Sequence, residues 1–514
     1  MDNVSELLFR NIEKGRGKSV AIHFEGQKIT YADLADRANR VGNVLKSLNL
    51  PSQAVVMLLL YDSPDFTASF FGATKAGYIA AFANPAYQPE DYAFLLNNTQ
   101  AKVLIADAEL YAKVEPIRDK CPALEWVIVR GAHSQNTLSY ENLVNQASNQ
   151  LEVAPTKSED PACIIFTSGS NTGQAKGVVH SHKNPLMTYE TFGKHILQIQ
   201  PGDITCSISK MFYAAGFGNS ISFPSAVGAS TLILPSKATP EIILDYIERY
   251  HPTILFAYPP SYLAMLNTPN AKKRNLQSVR LCMCYAEKLP KLLYKNWLEA
   301  FGLELIEALG TTEMLHIYLS NQPGKVNLDS LGFAVPGYEI KLIDSSEYEV
   351  KTNEIGRMIV RGMSAGLSYI NNPEETKETM RDGWIYTQDL FKKDENGYFY
   401  LLGRTNEMFK SGGLWVPPIE VEQCLKEHPA VAECLVVPWL DADKFVFPKA
   451  IIKLHEAYQP TQELKLELQN LARSKLLPHK VPKEFEYVSD FPRTATGKIK
   501  RPKMDNLFSD LEQL

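Results

Sequence analysis

Ala162-Cys163-Ile164-Ile165-Phe166-Thr167-Ser168-Gly169-Ser170-Asn171-Thr172-Gly173-Gln174-Ala175-Lys176-Gly177-Val178-Val179-His180 is the stretch on which the reading of this chain turns. An apolar run of strand character leads into a loop of hydroxyls, glycines and one lysine, and a second apolar run follows. Small residues let backbone N–H groups approach an anion, while hydroxyls and an ammonium add donors and charge. The stretch therefore reads as a phosphate grip at the end of a buried strand. An ordinary turn has a similar composition, so the loop alone does not settle the matter. It is a poor match to the P-loop of nucleoside triphosphatases, which sets Gly-Lys-Ser/Thr at a helix start. Here Gln174 follows Gly173 and Gly177 follows Lys176.

Outward from this loop, short apolar runs alternate with amphipathic segments. Strands are predicted at 54–60, 102–106, 126–129, 162–166, 231–234, 253–256 and 303–306, with helices at 31–48, 240–249 and 291–300. That alternation predicts an α/β fold: a large multi-layer N-terminal domain with parallel-rich sheets over residues 1–403. The polar stretch 145–160 reads as a linker into the glycine-rich loop. Residues 332–400 carry the turn signals Asp382-Gly383 and Asn396-Gly397 and read as strands and turns. From 404 to 514 the pattern changes to a helix at 419–428, strands at 431–437 and 450–454, and a longer helix at 462–476, a small α+β domain, which the resemblance given below implies to be mobile.

The 514 residues suffice for several cores; 45% are hydrophobic and 22% charged. A formal net charge of -5 gives no basic footprint for nucleic acid. No apolar run reaches membrane-spanning length and the start Met1-Asp2-Asn3-Val4 has no signal-peptide pattern, so the reading is cytoplasmic with no membrane partner. The seven scattered cysteines read as buried free thiols, and His180-Ser181-His182 as structural, since no further ligand stands at metal spacing.

Four further segments extend the pattern: Glu307-Ala308-Leu309-Gly310-Thr311-Thr312-Glu313, Trp384-Ile385-Tyr386-Thr387-Gln388-Asp389-Leu390, Gly403-Arg404-Thr405-Asn406-Glu407-Met408-Phe409-Lys410-Ser411-Gly412-Gly413, and Pro492-Arg493-Thr494-Ala495-Thr496-Gly497-Lys498. Each alone is a helix cap, a turn or a surface loop. In this order and at these distances the set resembles the acyl-adenylate-forming superfamily along essentially the whole chain. Lys210-Met211-Phe212-Tyr213-Ala214-Ala215-Gly216-Phe217-Gly218-Asn219, the run from Thr312 to Asn321, and Leu414-Trp415-Val416-Pro417-Pro418 look like the benzoate-type aryl-CoA ligases, to which anthranilate-CoA ligases are similar.

The resemblance implies an acid-thiol ligase. It would use ATP, Mg2+ and coenzyme A to convert a benzoate-like aromatic carboxylate, plain or amino- or hydroxy-substituted, into an acyl-AMP and then a thioester. By the same resemblance Thr167, Ser168, Gly169, Ser170, Thr172, Gly173 and Lys176 would hold the terminal phosphates. Thr312 would meet the α-phosphate and Glu313 the magnesium. Ala286, Glu287, Ala308, Leu309 and Gly310 would border the adenine, with Thr311 also among the nucleotide-binding residues. Asp389 would bind the ribose, assisted by Arg404. Lys498 would reach the carboxylate and α-phosphate, and Ser411, Gly412 and Gly413 would line a pantetheine tunnel after rotation about Thr405-Asn406. Phe212, Tyr213, Ala214, Ala215, Gly216, Tyr285 and His316 would form the acyl pocket.

The chain departs from the family pattern in places. Asn171 is an extra residue in the loop and Ala175 stands for its proline. Ala286 and Ala308 stand for glycines, Gln388 for the glycine before the acid, and Asn406 for the hinge aspartate. Ala215 stands where many benzoate-type members carry tyrosine, which should widen the pocket or leave His316 without a partner. Two other readings stand beside the ligase: an adenylating enzyme that loads a carrier-protein phosphopantetheine, and a diverged nucleotide-binding protein without catalysis. The chain is expected as a monomer or homodimer.

Overall fold

The computed structural model describes residues 1–132, 136–167, 175–405, 407–411, 414–440, 445–493, 499 and 501. Two large sheets dominate. In the eight-stranded one, Pro161–Phe166, Ile79–Phe82, Val55–Leu59, Val103–Asp107 and Trp126–Arg130 run parallel in that order. Gly177–Ser181 turns back antiparallel on Pro161–Phe166, with Phe166 opposite Gly177. In the nine-stranded one, every neighbouring pair is parallel along the order Leu305–Gly310, Leu281–Tyr285, Ile254–Ala257, Ile204–Ser207, Ser230–Ile233 and Val20–Phe24. Buried strands of this kind are near-continuous in apolar residues, and Val55–Leu59 is buried at every position.

Helices cover the sheets. Tyr31–Ser47 starts in a capping box, the Thr30 hydroxyl accepting from Asp33 N while the Asp33 carboxylate accepts from Thr30 N. It packs on Pro64–Lys75 at a crossing where a Cβ on Gly72 would stand 2.5 Å from the Ala38 carbonyl oxygen. Only glycine permits that approach. Phe217, on a short segment after Ile204–Ser207, meets Phe82 of the other sheet at 5.4 Å and Phe70 at 5.0 Å. One apolar core therefore runs between the two sheets.

An antiparallel sheet follows, built from Glu339–Ile343, Ile355–Arg361, Trp384–Lys393, Met380–Arg381 and Phe399–Arg404. The smaller C-terminal domain holds a three-stranded sheet of Val431–Leu440, Val446–Leu454 and Glu484–Tyr487, covered by helices Pro418–Lys426 and Gln462–Lys475, with its own core. Among the described residues no helix is long and apolar enough to cross a membrane. All seven cysteines are free and buried.

The predicted strands and helices fall within a few residues of these elements. Two readings change. The stretch 145–160 is no free linker: Asn39, Arg40 and Asn43 on the helix Tyr31–Ser47 donate to the carbonyls of Asn149, Ala147 and Ser148 at 2.8, 2.7 and 2.7 Å. The strands Val20–Phe24, Ile79–Phe82, Ile204–Ser207 and Leu281–Tyr285 were not marked by the apolar pattern, because each is four or five residues long and mixes apolar side chains with small, polar or cysteine ones.

Candidate active site

Four adjacent parallel strands of the nine-stranded sheet end on the same side, and the chain leaving each carries candidate residues. Past Ile204–Ser207 comes the segment from Met211 to Asn219; past Ile254–Ala257 comes Tyr258; Leu281–Tyr285 delivers Tyr285, Ala286 and Glu287; Leu305–Gly310 delivers Ala308 to Glu313. Ligands of open parallel sheets bind outside such carboxyl ends.

Tyr285 lies opposite Ala308 in the ladder. Ala286 turns the chain with φ at 73°, in the left-handed region where glycine is at home. Ala286 and Glu287 are exposed, Ala308 is buried, and Leu309, Gly310, Thr311, Thr312 and Glu313 are half-buried. Among the described residues the buried Thr311 hydroxyl has no hydrogen-bond partner, an unsatisfied polar group at the strand end.

The turn at Thr312-Glu313 is held from two sides. His180 Nε2 lies 2.9 Å from the Thr312 carbonyl oxygen. Burial pushes the His180 imidazole down to about 4, so the neutral ring donates there. The Tyr369 hydroxyl donates to Glu313 Oε1 at 2.7 Å, and Gly366 N donates to the Glu313 carbonyl at 2.7 Å. Among the described residues no side chain claims Glu313 Oε2, so a hard oxygen donor remains, the type that magnesium takes.

Thr167 N donates to the Lys176 carbonyl at 2.8 Å, joining the two ends of the candidate phosphate loop where the strands Pro161–Phe166 and Gly177–Ser181 pair. Lys176 Nζ lies 2.6 Å from Glu375 Oε1. Ser168, Gly169, Ser170, Asn171, Thr172 and Gly173 lie outside the described residues. Asp389 is buried on the strand Trp384–Lys393, directly opposite Arg404, whose Nε approaches its Oδ1 at 3.3 Å. Gln388 O and Oε1 accept from Thr405 N and Oγ1 at 2.8 and 2.7 Å.

Asn219 ties the pocket residues together. Its Nδ2 donates to Tyr285 OH at 2.9 Å and to Ser207 Oγ at 3.1 Å, and its Oδ1 lies 3.2 Å from His316 Nε2. His316 Nε2 is also 3.4 Å from the Ala215 carbonyl oxygen. Of the expectations at Ala215, His316 Nε2 does have partners in the Ala215 carbonyl and the Asn219 amide, while its Nδ1 is buried with no partner among the described residues. The His316 ring packs against Phe192 and Phe223 at 5.2 and 4.6 Å, and a Cβ on Gly218 would stand 2.3 Å from it. Burial pushes its imidazole down to about 3.

Tyr213 is half-buried, its hydroxyl accepting from Asn84 Nδ2 at 3.0 Å, and Phe212 packs on its ring at 4.4 Å. Ala214 and Ala215 are half-buried and Gly216 is buried. Tyr258 meets Tyr285 edge-on at 5.5 Å. Asn84, Asn219, Tyr258 and Tyr369 were missed by sequence reasoning. Asn84 and Tyr258 follow the strands Ile79–Phe82 and Ile254–Ala257, Asn219 closes the stretch that suggested the aryl ligases, and Tyr369 lies on the two-residue strand Ser368–Tyr369, which no local pattern marks.

Ser411 is buried at the end of Phe409–Ser411, paired with Leu414 of the strand Leu414–Val416. Gly412, Gly413, Asn406 and Lys498 lie outside the described residues. Beside Lys498 in sequence, Ile499 bridges to Arg493, and Arg501 forks onto the two Glu422 oxygens at 2.9 and 2.7 Å. Among the described residues no group of His, Cys, Asp and Glu is arranged as a metal cluster.

The chain belongs to the family of AMP-binding enzymes. The AMP-binding enzyme domain matches residues 8–370 and the AMP-binding enzyme C-terminal domain residues 420–498. It is similar to the benzoate–CoA ligase of Thauera aromatica, with 36% identity over 97% of this chain and 94% of that one. Among solved structures it matches the anthranilate CoA ligase AuaEII in complex with anthranoyl-AMP, with a TM-score of 0.92, 35% identity and coverage of 100% and 98% of the two chains. A benzoate CoA ligase from Burkholderia xenovorans superposes with a TM-score of 0.88, 32% identity and coverage of 98% and 99%.

Proposed function

We propose that this protein activates an aromatic carboxylic acid of the benzoate type with ATP, releasing pyrophosphate and forming an acyl-AMP, and then transfers the acyl group to coenzyme A, giving aryl-CoA and AMP. The observation that supports this most is full-length likeness to benzoate- and anthranilate-CoA ligases combined with the gathering of the candidate residues at adjacent strand ends.

A carboxylate is a poor acyl donor because its oxygen leaves badly. Its attack on the α-phosphate brings two anions together, so the site must supply positive charge and hold the reactants in line. Magnesium, when bound, supplies part of that charge. In this reading Glu313 holds the metal, Thr312 meets the α-phosphate, and Thr167 and Lys176 grip the terminal phosphates. Asp389 orients the ribose, with Arg404 fixing its carboxylate. Lys498 neutralises the reacting carboxylate and α-phosphate in the first half-reaction. The division of labour places residues 1–403 around ATP and acid and residues 404–514 on a body that rotates about Thr405-Asn406, removing Lys498 and bringing Ser411, Gly412 and Gly413 to the thiol path.

In the acyl pocket, Asn219 holds Tyr285 and His316 in one orientation, which suits a flat ring better than a flexible chain. A reaction containing ATP, magnesium, a benzoate-type acid and millimolar coenzyme A tests the acceptor. An aryl-CoA thioester is expected. Thioester formation only on a carrier-protein phosphopantetheine would show that the acceptor is misassigned.

A further inference from the structure

The contact between Lys176 and Glu375 is not a loose surface pair. Lys176 leads into the strand Gly177–Ser181, and that strand is stapled to the distant strand Ser368–Tyr369 and the residue after it by the Val178–Tyr369 pairing and by Ile370 N donating to the Gly177 carbonyl at 2.8 Å. Glu375 stands in the first turn of the helix Pro373–Thr379, its backbone N donating to the Asn372 side chain at 3.2 Å. The ammonium also lies 5.6 Å from the centre of the Tyr369 ring. The two side chains are 16% and 28% exposed, and among the described residues no other carboxylate pairs with Lys176.

We propose that Glu375 is a built-in counter-ion that Lys176 exchanges for the terminal phosphates of ATP, so that this carboxylate, acting through Lys176, tunes the affinity for triphosphate over monophosphate. The inference rests on the reading above, in which Lys176 meets the terminal phosphates. A cation held at the base of a loop between buried strands needs a partner when no nucleotide is present. Glu375 supplies it, and a polyphosphate carrying several charges displaces it. The displacement opposes ATP binding by the strength of the pair. AMP has no terminal phosphates and does not disturb it. Glu375 is thus a positioning residue for a phosphate-binding lysine.

Calorimetric titration of the full chain with α,β-methylene-ATP and with AMP tests this without turnover. Glu375→Gln is expected to tighten the ATP analogue by about threefold to tenfold, the range of a partly screened ion pair, and to leave AMP within about twofold. In a Lys176→Met background the same substitution is expected to change neither ligand. A misfolded variant would weaken binding, so a gain is not a structural artefact. Unchanged or weaker binding of the analogue by Glu375→Gln, an equal gain for AMP, or the full gain without Lys176 would overturn the inference while leaving the ligase reading intact. Failure of the unsubstituted protein to bind either nucleotide would overturn the ligase reading, and the inference with it.

Discussion

The Tyr369 hydroxyl and the Glu313 carboxylate are joined by a 2.7 Å hydrogen bond across two segments 56 residues apart in sequence. Burial, and next to it the Glu313 charge, pushes the Tyr369 phenol well above its ordinary range, so it remains a donor at every working pH. Tyr369→Phe removes the donor and keeps the ring. We expect the magnesium concentration for half-maximal pyrophosphate exchange to rise about tenfold, the worth of one hydrogen bond to a charged group, with little change in thermal unfolding. An unchanged magnesium requirement would show that Glu313 is positioned without it.

Asn219 is the amide that satisfies Tyr285 and His316 together. Asn219→Ala removes the amide donor to Tyr285 OH and Ser207 Oγ and leaves His316 Nε2 with the longer 3.4 Å contact to the Ala215 carbonyl, and the cost is expected to be about 2 kcal/mol in chemical denaturation. Acid selectivity should broaden in the same variant, because the two rings lose their common anchor. Stability within error of the parent would contradict this account of the pocket.

Much of this arrangement was legible in sequence because the strands are short, apolar and separated by capped helices, so Val55–Leu59 and Tyr31–Ser47 announce themselves by period and cap. The candidate site was readable only as motifs, of which Thr311 to Glu313 sit just past the strand Leu305–Gly310. The partners of those motifs were not legible. Tyr369, His180 and Glu375 reach the site through pairings of strands and helices distant in sequence, and no local pattern encodes such a contact. His180 was read as structural, and it is buried; its bond to the Thr312 carbonyl adds a link to the site that spacing alone could not show.

Ala286 follows the strand Leu281–Tyr285 with φ at 73°. A Cβ in that region costs about 1–2 kcal/mol, and glycine returns part of this through the greater freedom of its unfolded chain. Ala286→Gly should therefore stabilise the protein by about 0.5–1 kcal/mol in denaturant titration. A loss of stability would mean that packing of the methyl outweighs the backbone strain.

His180, His182 and His316 are all buried, and burial pushes their imidazoles down to about 4, about 4 and about 3. An unfolded chain takes up a proton on each below about pH 6.5, while the folded chain stays neutral there. Stability is therefore complete above about pH 6.5 and falls toward pH 4, by up to about 1.4 kcal/mol per pH unit for each histidine. Thermal unfolding from pH 7.5 to 4.5 should show this acid limb, and His182→Gln, which keeps an acceptor for Val4 N, should flatten it. An equal slope in both proteins would rule out His182 as a contributor.

The central claim is that this chain makes acyl-AMP from an aromatic acid, and carboxylate-dependent exchange of labelled pyrophosphate into ATP measures that step directly. With benzoate, anthranilate, hydroxybenzoates and cinnamates supplied in turn, exchange is expected with the benzoate-type acids, strongest for an amino- or hydroxy-substituted ring, and is expected to vanish in Lys498→Ala. Exchange that needs no carboxylate, or none with any of these acids, would contradict the account.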